Sequence, residues 1–209
     1  MKNSHIIQGV PFISQLGVYP TGCESVSIAM VLQYYGVDIS VDEIIQTYLP
    51  KGEAPHELPD GTLSGCDPLT HFPGDPYSPD GWGCFAPAVR LAAQRALEEK
   101  GPLSRLIVEE VCGESLETLC SRYVQEDIPV ILFATIHMQE PTPAETWRTP
   151  QGRQVRWISP MHCLVLIGFD ETGFFFQDPT DGENAWFPKE AVLRAYEAQG
   201  KQAVVIRSE

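Results

Sequence analysis

Three residues far apart in the chain have the types that nucleophilic thiol chemistry needs. Cys23 stands in PTGCESV, His162 opens HCLVLIGFD, and Asp178 ends FFFQD just before Pro179. Such chemistry uses a thiol as nucleophile, a base to take its proton, and a third group to orient the base. Each residue also has a plain structural use. Cysteine is a common small hydrophobe in cores, a histidine can begin an apolar strand as a satisfied structural residue, and Asp-Pro often ends a strand in a turn. What separates the two uses is whether the elements that carry these residues meet.

Cys23 belongs to the stretch from Val10 to Gly36. It reads as a short extended segment, a Pro-Thr-Gly turn, and a helix with Cys23 in its first turn. Val26, Ile28, Ala29, Met30, Val31 and Leu32 make that helix apolar nearly all round, so it is expected to be buried on several sides. Gly36 is a natural left-handed terminator. The positive end of the helix dipole favours the thiolate. With a basic His162 beside it, the Cys23 pKa is expected to drop from ~8.5 toward or below neutrality.

His162 and Asp178 fall on two adjacent strands, His162–Phe169 and Gly173–Gln177, joined by Asp170-Glu171-Thr172. Side chains alternate along a strand, and a loop of odd length puts residues of equal parity on one face. A three-residue loop closed by Gly173 therefore predicts His162 and Asp178 on the same face, with Cβ atoms roughly 4.5–8 Å apart. Cys163 then points the other way, into the core. Asp181 is the poorer candidate for the orienting role, since it lies beyond the Pro179 break.

The remaining elements divide the chain into helices first and strands afterwards. Ser40-Val-Asp-Glu43 matches a capping box and opens a short helix to about Leu49, which Pro50 ends. Residues 51–87 are dense in Pro, Gly and Asp and read as irregular loop. Their aromatics, Phe72, Tyr77, Trp82 and Phe85, argue for an ordered insertion walling one side of a cleft. Trp82 and Trp157 are the candidate cleft residues, with core packing as the equal alternative. Ala86–Lys100 is a second helix, stopped by Gly101-Pro102. A strand at Leu106–Val111 and a helix at Ser115–Gln125 follow. Pro129–Ile136 is continuously apolar, as for a strand covered on both faces. Residues 138–156 form a polar loop or long hairpin, Pro188–Gln199 a last helix, and Gln202–Ile206 an edge strand. The class is α+β: N-terminal helices packed on a C-terminal antiparallel sheet, in a single domain over 1–209.

Bulk properties narrow the partners. The 209 residues carry a formal charge of -14, which argues against nucleic acid or anionic lipid as partner; it weakly permits basic substrates, but keeping the protein in solution is the favoured explanation. No apolar run reaches the ~20 residues of a membrane helix. The six cysteines are spread without any C-x-x-C, and Cys66, His71 and Cys84 lack the paired spacing of a zinc site. No metal or other cofactor is expected. MKNSHIIQGVPF has no apolar signal core, so the chain as written is expected in the cytoplasm, or exported if it is a processed form. Oligomeric state has no signal here.

PTGCESVSIAMVLQYYG, DPLTHFPGDPYSPDGWGCFAPAV, PVILFAT, HCLVLIGFD and FFFQDP together resemble the C39-like cysteine peptidases of bacteria, which have a papain-like fold. The resemblance runs from Val10 to about Asp178. It implies Cys23 as nucleophile, His162 as general base and acid, Asp178 as orienter, and Gln15 as side-chain donor of the oxyanion hole beside the Cys23 amide. Gln15 stands further before the cysteine than its counterpart in papain. The expected activity is hydrolysis of a peptide bond through a thioacyl intermediate, on a peptide or protein substrate. Two alternatives keep the same fold: acyl or peptidyl transfer to an amine, and a silent peptide-binding module. The intact set of Cys23, His162 and Asp178 counts against the module.

Overall fold

The structure, a computed structural model, describes residues 3–100 and 106–208. After β1 (His5–Ile6) an extended run leads to α1 (Cys23–Tyr34), then α2 (Val41–Glu43), which continues as a π-helical turn over Ile44–Tyr48. Short strands β2 (Lys51–Gly52), β3 (His56–Glu57), β4 (Leu63–Ser64) and β5 (Phe72–Pro73) punctuate the next segment. Then come α3 (Ala86–Lys100), β6 (Leu106–Glu110), α4 (Leu116–Arg122) and β7 (Val130–Thr135). The chain closes with β8 (Thr142–Arg148), β9 (Gln154–Ser159), β10 (Met161–Phe169), β11 (Gly173–Asp178), β12 (Gly182–Pro188), α5 (Lys189–Ala198) and β13 (Ala203–Ser208). Among the described residues no helix is long and apolar enough to cross a membrane.

Helix α1 forms where its apolar residues predict it, and Glu24 through Leu32 are buried at every position. Gly36 takes the left-handed φ of +80° expected of a terminator. Ser40 caps α2 by accepting from the Glu43 backbone N–H at 3.1 Å. The Glu43 carboxylate, however, pairs with Lys100 at 2.6 Å. Helix α3 runs to Lys100, and the Gly101-Pro102 stop lies outside the described residues.

The main sheet is antiparallel, in the order β12-β11-β10-β7-β13-β6, with β1 added against β10. Every residue of β7 and β10 is buried, so the centre of the sheet is covered on both faces. Helix α1 packs on β10 and α3, while α5 packs on β7 and β11. This places the N-terminus of α1 over the start of β10.

Two elements depart from the sequence reading. The last strand, β13, is not at an edge: it pairs with both β7 and β6. Its Ala203–Ile206 run is buried throughout, as an interior strand requires. The two ends of the sheet's strand order are β6 and β12, and β12 is a strand that the sequence hides because Gly182–Pro188 mixes glycine, proline and exposed polar residues. The polar stretch 138–156 forms a hairpin with the residues after it: β8 pairs with β9, and with β3 and β4 they make a second small sheet. Trp147 of that hairpin donates its indole N–H to the Cys66 carbonyl at 3.0 Å, tying the hairpin to the Pro/Gly-rich segment.

Candidate active site

His162 and Asp178 meet through a bulge. At the turn end of the β10–β11 pair, Phe169 faces Phe174 and Gly168 faces Phe175. Continued unbroken, that register would put His162 on the face opposite Asp178. One extra residue, Ile167, sits between the Gly168 and Leu166 pairings, after which Leu166 faces Phe176 and Val165 faces Gln177. The bulge reverses the parity. Asp178 comes to lie beside the line of Leu164 and His162. The same-face prediction holds, and the cause is the bulge rather than the loop length.

The contact is buried and tight. His162 Nε2 stands 2.7 Å from Asp178 Oδ1, with the two side chains 1% and 0% exposed. Asp178 Oδ1 also accepts from the Thr180 N–H at 2.8 Å, the Thr180 hydroxyl at 2.9 Å and the Asp181 N–H at 3.2 Å. Burial works to raise the carboxyl's pKa, but the His162 bond and charge and the Thr180 bonds outweigh it, bringing it down to about 2. An ionised Asp178 fixes the ring with Nε2 toward the carboxylate, which leaves Nδ1 for another partner. Asp181 is engaged elsewhere, 2.5 Å from His137 Nδ1.

Cys23 and His162 line the same cavity, of about 600 Å³. Gln15, Trp82 and Trp157 line it too, together with Ala54, Pro55 and Gly81 from the 51–87 segment. Trp82 makes edge contacts with Trp147 and Trp157, and Phe85 stacks on Trp157 at 5.5 Å. The aromatic cluster is thus both cleft wall and packing. The acidic residues lining it are Asp80 and Glu145. Gln15 is 5% exposed. Its side-chain N–H₂ donates to the Pro20 carbonyl at 3.2 Å, leaving one N–H, and its Oε1 is buried without a partner.

The thiolate expectation needs correcting. The Cys23 thiol is held well above its ordinary pKa. Burial is the largest cause, followed by the charge of Glu24 and then the Cys163 thiol; a bond with the Cys163 backbone works the other way. Desolvation at this depth outweighs the dipole of a helix start. The Cys23 Sγ–H donates to Glu24 Oε2 at 3.3 Å.

Glu24 is the residue that the sequence reading misses. It is fully buried, and its Oε1 accepts from the Cys84 backbone N–H at 2.6 Å. The available signal is that Glu24 is the single charge in an otherwise neutral helix, CESVSIAMVLQY. Among the described residues no group of three or more His, Cys, Asp or Glu side chains is gathered closely enough to hold a metal ion.

The start of helix α1 thus brings the Cys23 thiol to the cavity that His162 also lines, and His162 is backed by the buried Asp178. The chain belongs to the Peptidase_C39 like family, whose model matches residues 7–204. It is 26% identical to the uncharacterized protein YvpB of Bacillus subtilis over 186 residues, covering 89% of this chain and 69% of that protein. A crystal structure described as a C39-like peptidase from Bacillus anthracis superposes over 100% of both chains with a TM-score of 0.82 and 28% identity. A double glycine motif protease from an AMS/PCAT transporter, solved with its leader peptide, superposes over 100% of both chains at a TM-score of 0.51 and 16% identity. That second likeness is one of fold alone.

Proposed function

We propose that the protein is a cysteine peptidase that cleaves a peptide bond through Cys23, His162 and Asp178. The observation that carries this reading is the buried His162–Asp178 pair, 2.7 Å apart, opening on the cavity that Cys23 also lines. A histidine whose Nε2 is committed to a carboxylate offers Nδ1 to the thiol. His162 takes the Cys23 proton, and the thiolate attacks the substrate carbonyl. The Cys23 amide at the start of α1 and the free N–H of Gln15 hold the developing oxyanion. Protonated His162 then gives its proton to the leaving amine, and water, deprotonated by the same ring, hydrolyses the thioester. Asp178 stays ionised throughout and keeps the ring in place.

A peptide substrate accords with the leader peptide bound by the transporter protease of similar fold. The Trp82 and Trp157 walls suit an extended chain with apolar side chains. Asp80 and Glu145 favour neutral or basic residues over acidic ones. The test is digestion of a peptide library by wild type and Cys23→Ala, read by mass spectrometry. Cleavage by wild type alone supports the proposal. Acyl transfer to amines in place of cleavage would make the protein a transferase, and equal product from both proteins would end the reading.

A further inference from the structure

Glu24 carries a carboxylate at a place where a neutral side-chain oxygen could also accept the Cys84 N–H. It is fully buried in the first turn of α1, where an ion without a countercharge is costly. It is nevertheless built in with care. Oε1 accepts from the Cys84 N–H at 2.6 Å, and Oε2 accepts from the Cys23 thiol at 3.3 Å. The chain arrives at Cys84 through Gly83, whose φ is +144°. A Cβ at Gly83 would lie 2.7 Å from Glu24 Oε1 and 2.2 Å from Met161 Cε. The loop before α3 therefore reaches the carboxylate only because residue 83 has no side chain.

From this geometry we infer that Glu24 is a further catalytic residue, which shares a proton with Cys23 and decides whether the sulfur is thiol or thiolate. Ionised, Glu24 accepts from Sγ–H and keeps the proton on sulfur. Protonated, it donates its O–H to the thiolate instead, while the thiol's own proton sits on His162. No proton is gained or lost in that exchange beyond the one Glu24 takes from solvent. The titratable groups facing Glu24 are Cys23 on its own helix, Cys84 before α3, and His162 and Cys163 on β10. Asp178 acts at one remove, through Cys163 and His162. Burial raises the Glu24 pKa to about 7, against the bonds from its own backbone, Cys84 and Cys23 and the charge of His162. The switch between the two states thus falls near neutrality. The active ion pair of thiolate and imidazolium is favoured below that pH and suppressed above it.

The inference rests on Cys23 being the nucleophile, and its test separates the two claims. The kcat/KM–pH profile of wild type is compared with Glu24→Gln, which keeps an acceptor for Cys84 and a donor for sulfur. Alkylation of Cys23 by iodoacetamide is followed in both, with the exposed Cys112 as internal reference. Wild-type kcat/KM should fall as pH rises through about 7, and the variant should hold its rate to higher pH. At pH 8 the Cys23 label, relative to Cys112, should rise about tenfold in the variant, the effect of one pKa unit. Superimposable profiles and labelling in two folded proteins would overturn the role of Glu24, and would leave Cys23 as nucleophile intact. Should Glu24→Gln not fold, ¹³C NMR of the carboxyl in wild type and Cys23→Ala decides. A midpoint that moves when the thiol is removed supports the shared proton, and an unmoved one overturns it. A wild type that cleaves no peptide, yet labels as described, would overturn the peptidase reading alone.

Discussion

His162 Nε2 lies 2.7 Å from Asp178 Oδ1 because Ile167 bulges out of β10 and turns the first half of that strand over. A single backbone irregularity thus brings the proposed base to its carboxylate. It also keeps Gln177 on the opposite side, where its amide donates to the Val10 carbonyl at 2.7 Å and holds the approach to α1. The bulge serves the sheet's packing and the site's chemistry together.

The pair has a signature in acid. Asp178 has a folded-state pKa of about 2, below the free value of 3.8. Below about pH 4 the unfolded chain therefore binds the proton more readily than the native one. The stability from this group is complete above about pH 4 and is lost as the pH falls toward 2. The gap is worth about 2 kcal/mol. Urea unfolding of wild type and Asp178→Asn at pH 6 and pH 2.5 should show wild type losing more stability over that range. Equal losses would mean that the His162 bond does not hold the carboxyl ionised.

The two cleft tryptophans should separate by experiment. Trp157 is 5% exposed and stacked on Phe85, so Trp157→Ala should cost about 3–5 kcal/mol of stability. Trp82 is half-buried and opens on the cavity. Trp82→Ala should cost less stability and act chiefly by raising KM. Thermal melts beside steady-state kinetics check both, and the reverse ranking would reassign the cleft wall.

Gly83 is a third point of leverage. Its φ of +144° and the close approach of Met161 Cε and Glu24 Oε1 leave no room for a methyl group. Gly83→Ala should destabilise the fold by about 1–3 kcal/mol. It should also lower activity beyond what the fraction unfolded explains, since the loop must back away from Glu24. A denaturation curve and a rate, taken at a temperature where the variant is folded, measure the two effects. Unchanged activity in the folded variant would detach this loop from the site.

Helices α1 and α3 and the buried strand β7 were legible because their apolar spacing is long and regular. The residue types of Cys23, His162 and Asp178 marked them as candidates for thiol chemistry, and His162 and Asp178 do meet. The bulge at Ile167 was not legible, because one extra residue leaves no mark inside a continuously apolar run. Strand β13 looked like an edge because it ends the chain, although its buried Ala203–Ile206 run is that of an interior strand. Glu24 escaped for another reason. An acidic residue in a helix's first turn has a ready explanation in the dipole, and nothing local says that the turn is buried. The raised Cys23 pKa follows from the same burial, which depends on contacts with β10 and the loop before α3 that are distant in sequence.

The central claim is that Cys23 carries the acyl group. It is tested by acid-quenching the protein during turnover of a cleavable peptide ester and locating the adduct by peptide-mapping mass spectrometry. The expected result is a thioester on Cys23 in wild type that forms about 10²-fold more slowly in His162→Ala. Ester hydrolysis with no adduct on Cys23, or with the acyl group on another residue, would contradict it.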